Sequence, residues 1–274
     1  MPHWICLACA VEHPETPDPP LECAICLDER QYVPRSGQAW TSLERMSADG
    51  VAIELSEPEP NLFGISASPQ IGIGQRSLLI TTTEGNVLWD PVGFVDAASA
   101  EKVRRLGPVV AIVASHPHMF GAQVSWSRAL GDPPVYVAEA DRDWVRRPDA
   151  VIRFWRDELE VVTGITIRAI GGHFPGSAIA YWRDGADGRG VALSGDTIFP
   201  GPSGKWVTFM RSFPNQIPMS AAVVDRVAKS ANAHPYDRMY GNFGNVIDAD
   251  AMAVVRRSAD RYMSWVSGEF DVLT

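Results

Sequence analysis

A chain of 274 residues, 46% of them apolar, is long enough to enclose a sizeable core, and it reads as one large domain with a small appendage. Its net charge of −9, with no Lys/Arg run to reverse the sign locally, opposes nucleic-acid phosphates and anionic lipid surfaces, so neither is expected as a partner. No stretch approaches the roughly 20 apolar residues that span a bilayer, and the first apolar run lacks a positive leader, so a cytoplasmic protein acting on a small molecule is expected.

Residues 1–36 stand apart as a small module, followed by a larger domain over 37–274. All four cysteines lie in the module, as Cys6-x2-Cys9 and Cys23-x2-Cys26. The intervening "HPETPDPPLE" is too rich in Pro and acidic residues for helix or strand. Two close pairs present four thiolates as a tetrahedral site for zinc or iron, whereas the competing arrangement, two disulfides, belongs to secreted chains. The segment resembles the rubredoxin-type module of rubrerythrins, matching at Trp4, the four cysteines, Pro19, Pro20 and Tyr32. Ala10 and Leu27 stand where that module places a glycine after each second cysteine, which favours a structural zinc knuckle over an electron-transfer iron. Because its ligands lie in a separate segment with a linker between, the module is expected to bind its metal independently of the larger domain.

From Trp40 the chain opens with β-type runs, "GVAIELSE", "NLFGISA", "RSLLITTT" and "NVLWDPV", with "SADG" and "TEGN" as turns, so an antiparallel start is expected. After Asp90 helix and strand alternate. "DAASAEKVRRLG" has an Asp cap and a terminal Gly before the strand "PVVAIVAS". "VSWSRALG" reads as a helix and "PVYVAEA", "ITIRAIGG", "SAIAYWR" and "GVALSGD" as strands. "SAAVVDRVAKSANA" and "DADAMAVVRRSADRYMSWVSG" read as amphipathic helices around the short extended "DRMYGNFG".

Three of these strands are followed at once by possible metal ligands: His116 and His118, then His173, then Asp196. Strand-end loops are where a rigid sheet presents side chains, and imidazoles with a carboxylate suit zinc or iron. The order resembles the metallo-β-lactamase fold superfamily, whose motifs are matched by "HPH", by "GGHFPGS" from Gly171, by "LSGD" from Leu193, and by Asp90 closing "NVLWD". The resemblance implies an αββα sandwich of two mixed sheets with helices outside, and a first metal held by His116, His118, His173 and Asp196. It also implies loss of the second metal, because Phe120, Gly121 and Asn242 stand where its other ligands would be. His234 falls outside the motif and reads as a surface or turn residue.

The function expected is mononuclear metal-dependent hydrolysis of a small activated carbonyl compound, a thioester, ester or lactone. The three histidines would hold zinc or iron and Asp196 would orient or deprotonate water. Phe120, Trp126, Trp206, Phe209 and Asn242 are candidates for lining a substrate pocket, with core packing as the alternative for the aromatic ones. Two other readings stay open: an iron-dependent redox protein using the cysteine module, and a binding scaffold with a vestigial site.

Overall fold

Turn residues between short apolar runs, rather than long helical periodicity, organise the first half of the chain. The structure, a computed structural model, describes residues 2–274, and these form two compact units divided between Trp155 and Arg156.

In the first unit β1 (His3–Cys6), β2 (Glu12–Glu15) and β3 (Trp40–Thr41) form a small sheet in the order β2-β1-β3. The short helix α1 (Ala24–Leu27) carries Cys26, and α2 (Leu43–Ala48) follows β3. Strand β2 corrects the expectation that "HPETPDPPLE" holds no strand. Pro14 is tolerated there because β2 is an edge strand and its register with β1 shifts between Ile5↔Glu12 and His3↔Glu15.

Seven more strands form one mixed sheet: β4 (Ala52–Glu59), β5 (Leu62–Ser68), β6 (Ser77–Ile80), β7 (Asn86–Trp89), β8 (Val109–Val113), β9 (Val135–Ala138) and β10 (Ile152–Trp155), ordered from β10 down to β4. From β4 to β7 the pairs are antiparallel, as the turn signals predict; from β7 to β10 they are parallel. Parallel neighbours need crossovers, and α3 (Ala97–Arg104) and α4 (Gln123–Ala129) supply the first two. The Asp96 carboxylate caps α3, accepting the Ser99 N–H at 2.7 Å, and Ala100 and Val103 turn inward. Cys6, Cys9 and Ile25 belong to the same buried cluster as Leu79, Phe94, Ile112 and Trp126, so the cysteine segment shares the core of this unit.

The second unit opens with an antiparallel run, β11 (Glu158–Val162), β12 (Ile165–Ala169) and β13 (Ala178–Trp182), then the turn-length α5 (Gly185–Gly188) and β14 (Val191–Ser194). Two small pairs follow, β15 (Phe199–Pro200) with β16 (Val207–Thr208), and β17 (Met210–Ser212) with β18 (Ile217–Pro218). Helix α6 (Ala221–Ala231) crosses over to β19 (Arg238–Tyr240), which lies parallel to β14 and antiparallel to β20 (Val246–Ile247). Helix α7 (Ala251–Val266) closes the unit. The apolar stripes of α6 and α7, Val224, Val227 and Ala228 with Val254 and Val255, share a core with Ile179, Phe209 and Met239.

Candidate metal centres

The four cysteines converge. Their sulfurs all lie within 4.8 Å of one another, with Cys6–Cys26 at 3.6 Å and Cys9–Cys23 at 3.7 Å, and none is in a disulfide. A tetrahedron with metal–sulfur bonds of about 2.3 Å has edges of about 3.8 Å, so the spacing fits a tetrathiolate ion. Ala10 takes the left-handed φ of 61° usually left to glycine, and the knuckle turn keeps its shape because Gly72 and Gly93 leave room for its Cβ.

Two residues outside the cysteine pattern complete this cradle. Gln38 donates from Nε2 to Cys6 Sγ at 3.1 Å and accepts the Cys23 N–H at 3.3 Å, while His13 Nε2 lies 3.5 Å from Cys23 Sγ. Hydrogen bonds from Cys26, Cys6 and Cys9 hold the Cys23 thiol far below its ordinary pKa. Hydrogen bonding with Cys23 pushes Cys26 well above it. Thiols packed this closely titrate as one coupled group rather than one by one. His13 and Gln38 carry no spacing signal; their partners are remote in sequence.

The His116-Pro117-His118 loop is built where β7 and β8 end. Asp90, fully buried in the left-handed region at φ 54°, accepts the Ser115 N–H at 2.5 Å and so ties the two strand ends together. His116 is extended, and Pro117–Met119 form a single 3₁₀ turn that sets the two buried imidazoles 5.1 Å apart. Ser115 Oγ lies 2.9 Å from His116 Nδ1, which makes Nε2 the nitrogen placed for ligation.

The absence of ligands at the next two positions has a packing cause. Phe120 is buried in the first unit's core. Gly121 has φ 48°, and any Cβ there would overlap the Pro91 carbonyl oxygen. No side chain of ligand length fits at 121.

In the second unit His173 follows β12 and Asp196 follows β14. The His173 N–H donates to Thr197 Oγ1 at 3.2 Å, and that hydroxyl donates to Gly171 O at 2.9 Å, which pins the Gly-Gly-His turn to the loop after β14 that carries Asp196. The Met210 carbonyl lies 3.0 Å from His173 Nδ1; a carbonyl only accepts, so Nδ1 carries the proton and Nε2 presents its lone pair. That Nε2 is 3.9 Å from Asp196 Oδ2, with both side chains buried. Thr197 and Met210 are further residues that spacing could not have singled out.

Of the pocket candidates, Trp126 is fully buried in the first unit and donates from its indole to Val92 O at 2.9 Å, and Phe209 is fully buried in the second. Trp206 is half-buried under the Arg261 guanidinium, 3.7 Å from the ring centroid. Asn242 is buried beyond the end of β19. His234 lies at the surface of its unit, 3.0 Å from Glu158.

Taken by donor chemistry, the first unit offers two buried imidazoles and four buried thiols, and the second a buried imidazole beside a buried carboxylate, all of them groups suited to zinc or iron. Residues 72–261 match the family model of the metallo-beta-lactamase superfamily, and the chain belongs to that superfamily. The uncharacterised protein YmaE of Bacillus subtilis (strain 168) is 40% identical over 271 residues, spanning 98% of each chain. Among solved structures, a B3 metallo-beta-lactamase with an active-site glutamic acid is similar over 84% of this chain and 96% of its own, at 16% identity and a TM-score of 0.55. The DIM-1 metallo-beta-lactamase is similar over 78% of this chain and 99% of its own, at 12% identity and a TM-score of 0.58. The fold is thus metallo-β-lactamase-like, with mixed sheets flanked by helices, as the strand-end motifs predict.

Proposed function

We propose that the chain is a mononuclear metal-dependent hydrolase in which His116, His118, His173 and Asp196 serve one ion, zinc or iron, and the substrate is a small thioester, ester or lactone. The observation that carries the reading is the prepared state of His173: fully buried, with its tautomer set by the Met210 carbonyl and its Nε2 turned toward Asp196. A merely structural histidine has no need of a carboxylate beside the nitrogen that the backbone leaves basic. When bound, the ion supplies Lewis acidity, activating water and polarising a carbonyl oxygen. Asp196 orients the water and takes its proton on a carboxylate oxygen. Ser115 and Met210 keep the imidazoles aimed. With no ligand side chain at Phe120 or Gly121, the usual two-metal clamp on a phosphodiester is lacking, so activated carbonyls are the better substrates.

The test is metal analysis of protein purified without added metal, followed by a panel of esters, thioesters and lactones. The wild type should hold one ion beyond that of the cysteines and show turnover. His173→Ala should lose that ion. Asp196→Asn should keep much of it while turnover falls by about 10²–10⁴-fold, the usual worth of a positioned base. A loaded protein that turns over no member of the panel would sink the hydrolase reading, and iron with redox activity would replace it.

A further inference from the structure

The cysteine knuckle and the His116-Pro117-His118 loop, both in the first unit, are joined through two consecutive residues of one strand. Cys6 N–H donates to Val11 O at 3.1 Å and Ala10 N–H to Cys6 O at 2.8 Å, so the first knuckle turn closes directly onto β2. Successive side chains of a strand point to opposite faces. On one face of β2, His13 reaches Cys23 Sγ and packs edge-on to Trp40, centroids 4.6 Å apart. On the other, Glu12 reaches the residues that follow the histidine loop.

Glu12 is only 2% exposed, yet its groups are fully engaged. Its backbone N–H donates to Gly121 O at 2.9 Å. Its Oε1 accepts the Val124 N–H at 2.5 Å, and its Oε2 accepts the Ser125 hydroxyl at 2.8 Å and the Ser125 N–H at 3.3 Å. Arg147 closes the charge at 2.6 Å. Val124 and Ser125 open α4, whose own N-cap residue, Ala122, offers no side-chain cap. A carboxylate from 112 residues earlier therefore does the capping, and the same residue fixes the carbonyl of Gly121, three positions after His118.

We propose that metal at the four cysteines clamps the His116-Pro117-His118 loop, with Glu12 as the positioning residue that carries the constraint. The cysteine segment has only short strands and a single-turn helix of its own, so ligation supplies much of its order. Without the ion, β2 loosens, and a buried cap, a buried ion pair and the Gly121 hydrogen bond are lost together. The amides of 118–126 then open locally while the rest of the sheet stays closed. The clamp rests on the cysteines binding metal; its consequence for hydrolysis rests on the function proposed above.

Hydrogen–deuterium exchange on the full zinc-loaded chain tests the clamp without reference to activity. Peptides spanning 115–127 are compared with control peptides from 52–80. In Cys6→Ser/Cys9→Ser the loop peptides should exchange at least tenfold faster with the controls unchanged. Glu12→Ala should give the same acceleration while one zinc, released only by a thiol-blocking mercurial, stays on the cysteines. Glu12→Gln, which keeps the acceptor but not the charge, should fall between. If the cysteine variant opens everywhere, Glu12→Ala decides. Unchanged loop exchange in Glu12→Ala, or acceleration in that variant shared equally by the controls, overturns the clamp, as does a wild type whose cysteines bind no zinc. A wild type with zinc on the cysteines alone overturns the proposed function and leaves the clamp to the exchange result.

Discussion

Gly121 shows how the backbone path can shut a side chain out of a position. Its left-handed φ and the Pro91 carbonyl that an added Cβ would meet exclude every side chain, so on the proposed one-metal reading the lack of a ligand at 121 lies in the backbone path. Gly121→Ala should therefore lower stability by about 1–3 kcal/mol, read as a shifted urea midpoint, through strain at a position only glycine fits. Gly121→His should be at least as damaging and should add no metal equivalent by elemental analysis; a gain of one would refute the steric account. Ala10 is the opposite case, a residue in a glycine conformation. Relieving its φ in Ala10→Gly gains about 1–2 kcal/mol, but removing a buried methyl loses about 0.8, so the unfolding free energy should rise by no more than about 1 kcal/mol. The candidate ligands stand out in the sequence because the histidines and Asp196 come just after β-type runs, and because imidazole, carboxylate and paired thiols have few other uses in such an order. Glu12, His13, Gln38, Thr197 and Met210 were not, since their roles exist only through partners that the fold brings near.

At the level of elements, regular patterns were read well and edges poorly. The buried central strands β7, β8 and β14 announce themselves as unbroken apolar runs. The segment "IRFWRDELEVV" does not, because it holds two edge strands of different sheets: β10 ends at Trp155 and β11 begins at Glu158, with Asp157 between them at φ 54°. Edge strands carry charge on their open side, which blurs the period-two signal. The junction between β19 and α7 has its own electrostatic tie. Asp237 accepts from Arg189 Nε and from the Asp250 N–H, both at 2.9 Å, and the Arg189 guanidinium followed by that amide holds its carboxyl below the usual range. A depressed folded pKa gives stability that is present above the unfolded value, about 3.9, and is lost as pH falls through the lower folded one. Asp237→Asn should thus melt below the wild type at pH 7, and the gap should close in the acid range. A gap that persists unchanged to pH 2 would assign it to packing rather than charge.

Across the whole molecule, the −9 charge and the metal sites make separate demands. A chain of this charge has little electrostatic reason to meet nucleic acid, and no described helix is long and apolar enough to cross a membrane. What the molecule offers instead is a place for metal, because four buried thiols sit within bonding range of a common ion inside a core they share with the first sheet. Crowded thiolates repel once a second thiol ionises, and only the folded chain gathers all four around one point, so an ion bound there would stabilise the folded state and not the unfolded one. Binding linkage gives about 2.7 kcal/mol when free zinc is 100 times the dissociation constant, which for a chain of this size corresponds to a rise in Tm of roughly 5–10 °C. Thermal melts of chelator-stripped protein should therefore lie that far below zinc-loaded protein and recover on adding zinc back. Cys6→Ser/Cys9→Ser should show much less recovery than the wild type, leaving only what His116, His118, His173 and Asp196 contribute. Equal melting with and without zinc in the wild type would mean that the cysteines are core residues and not ligands.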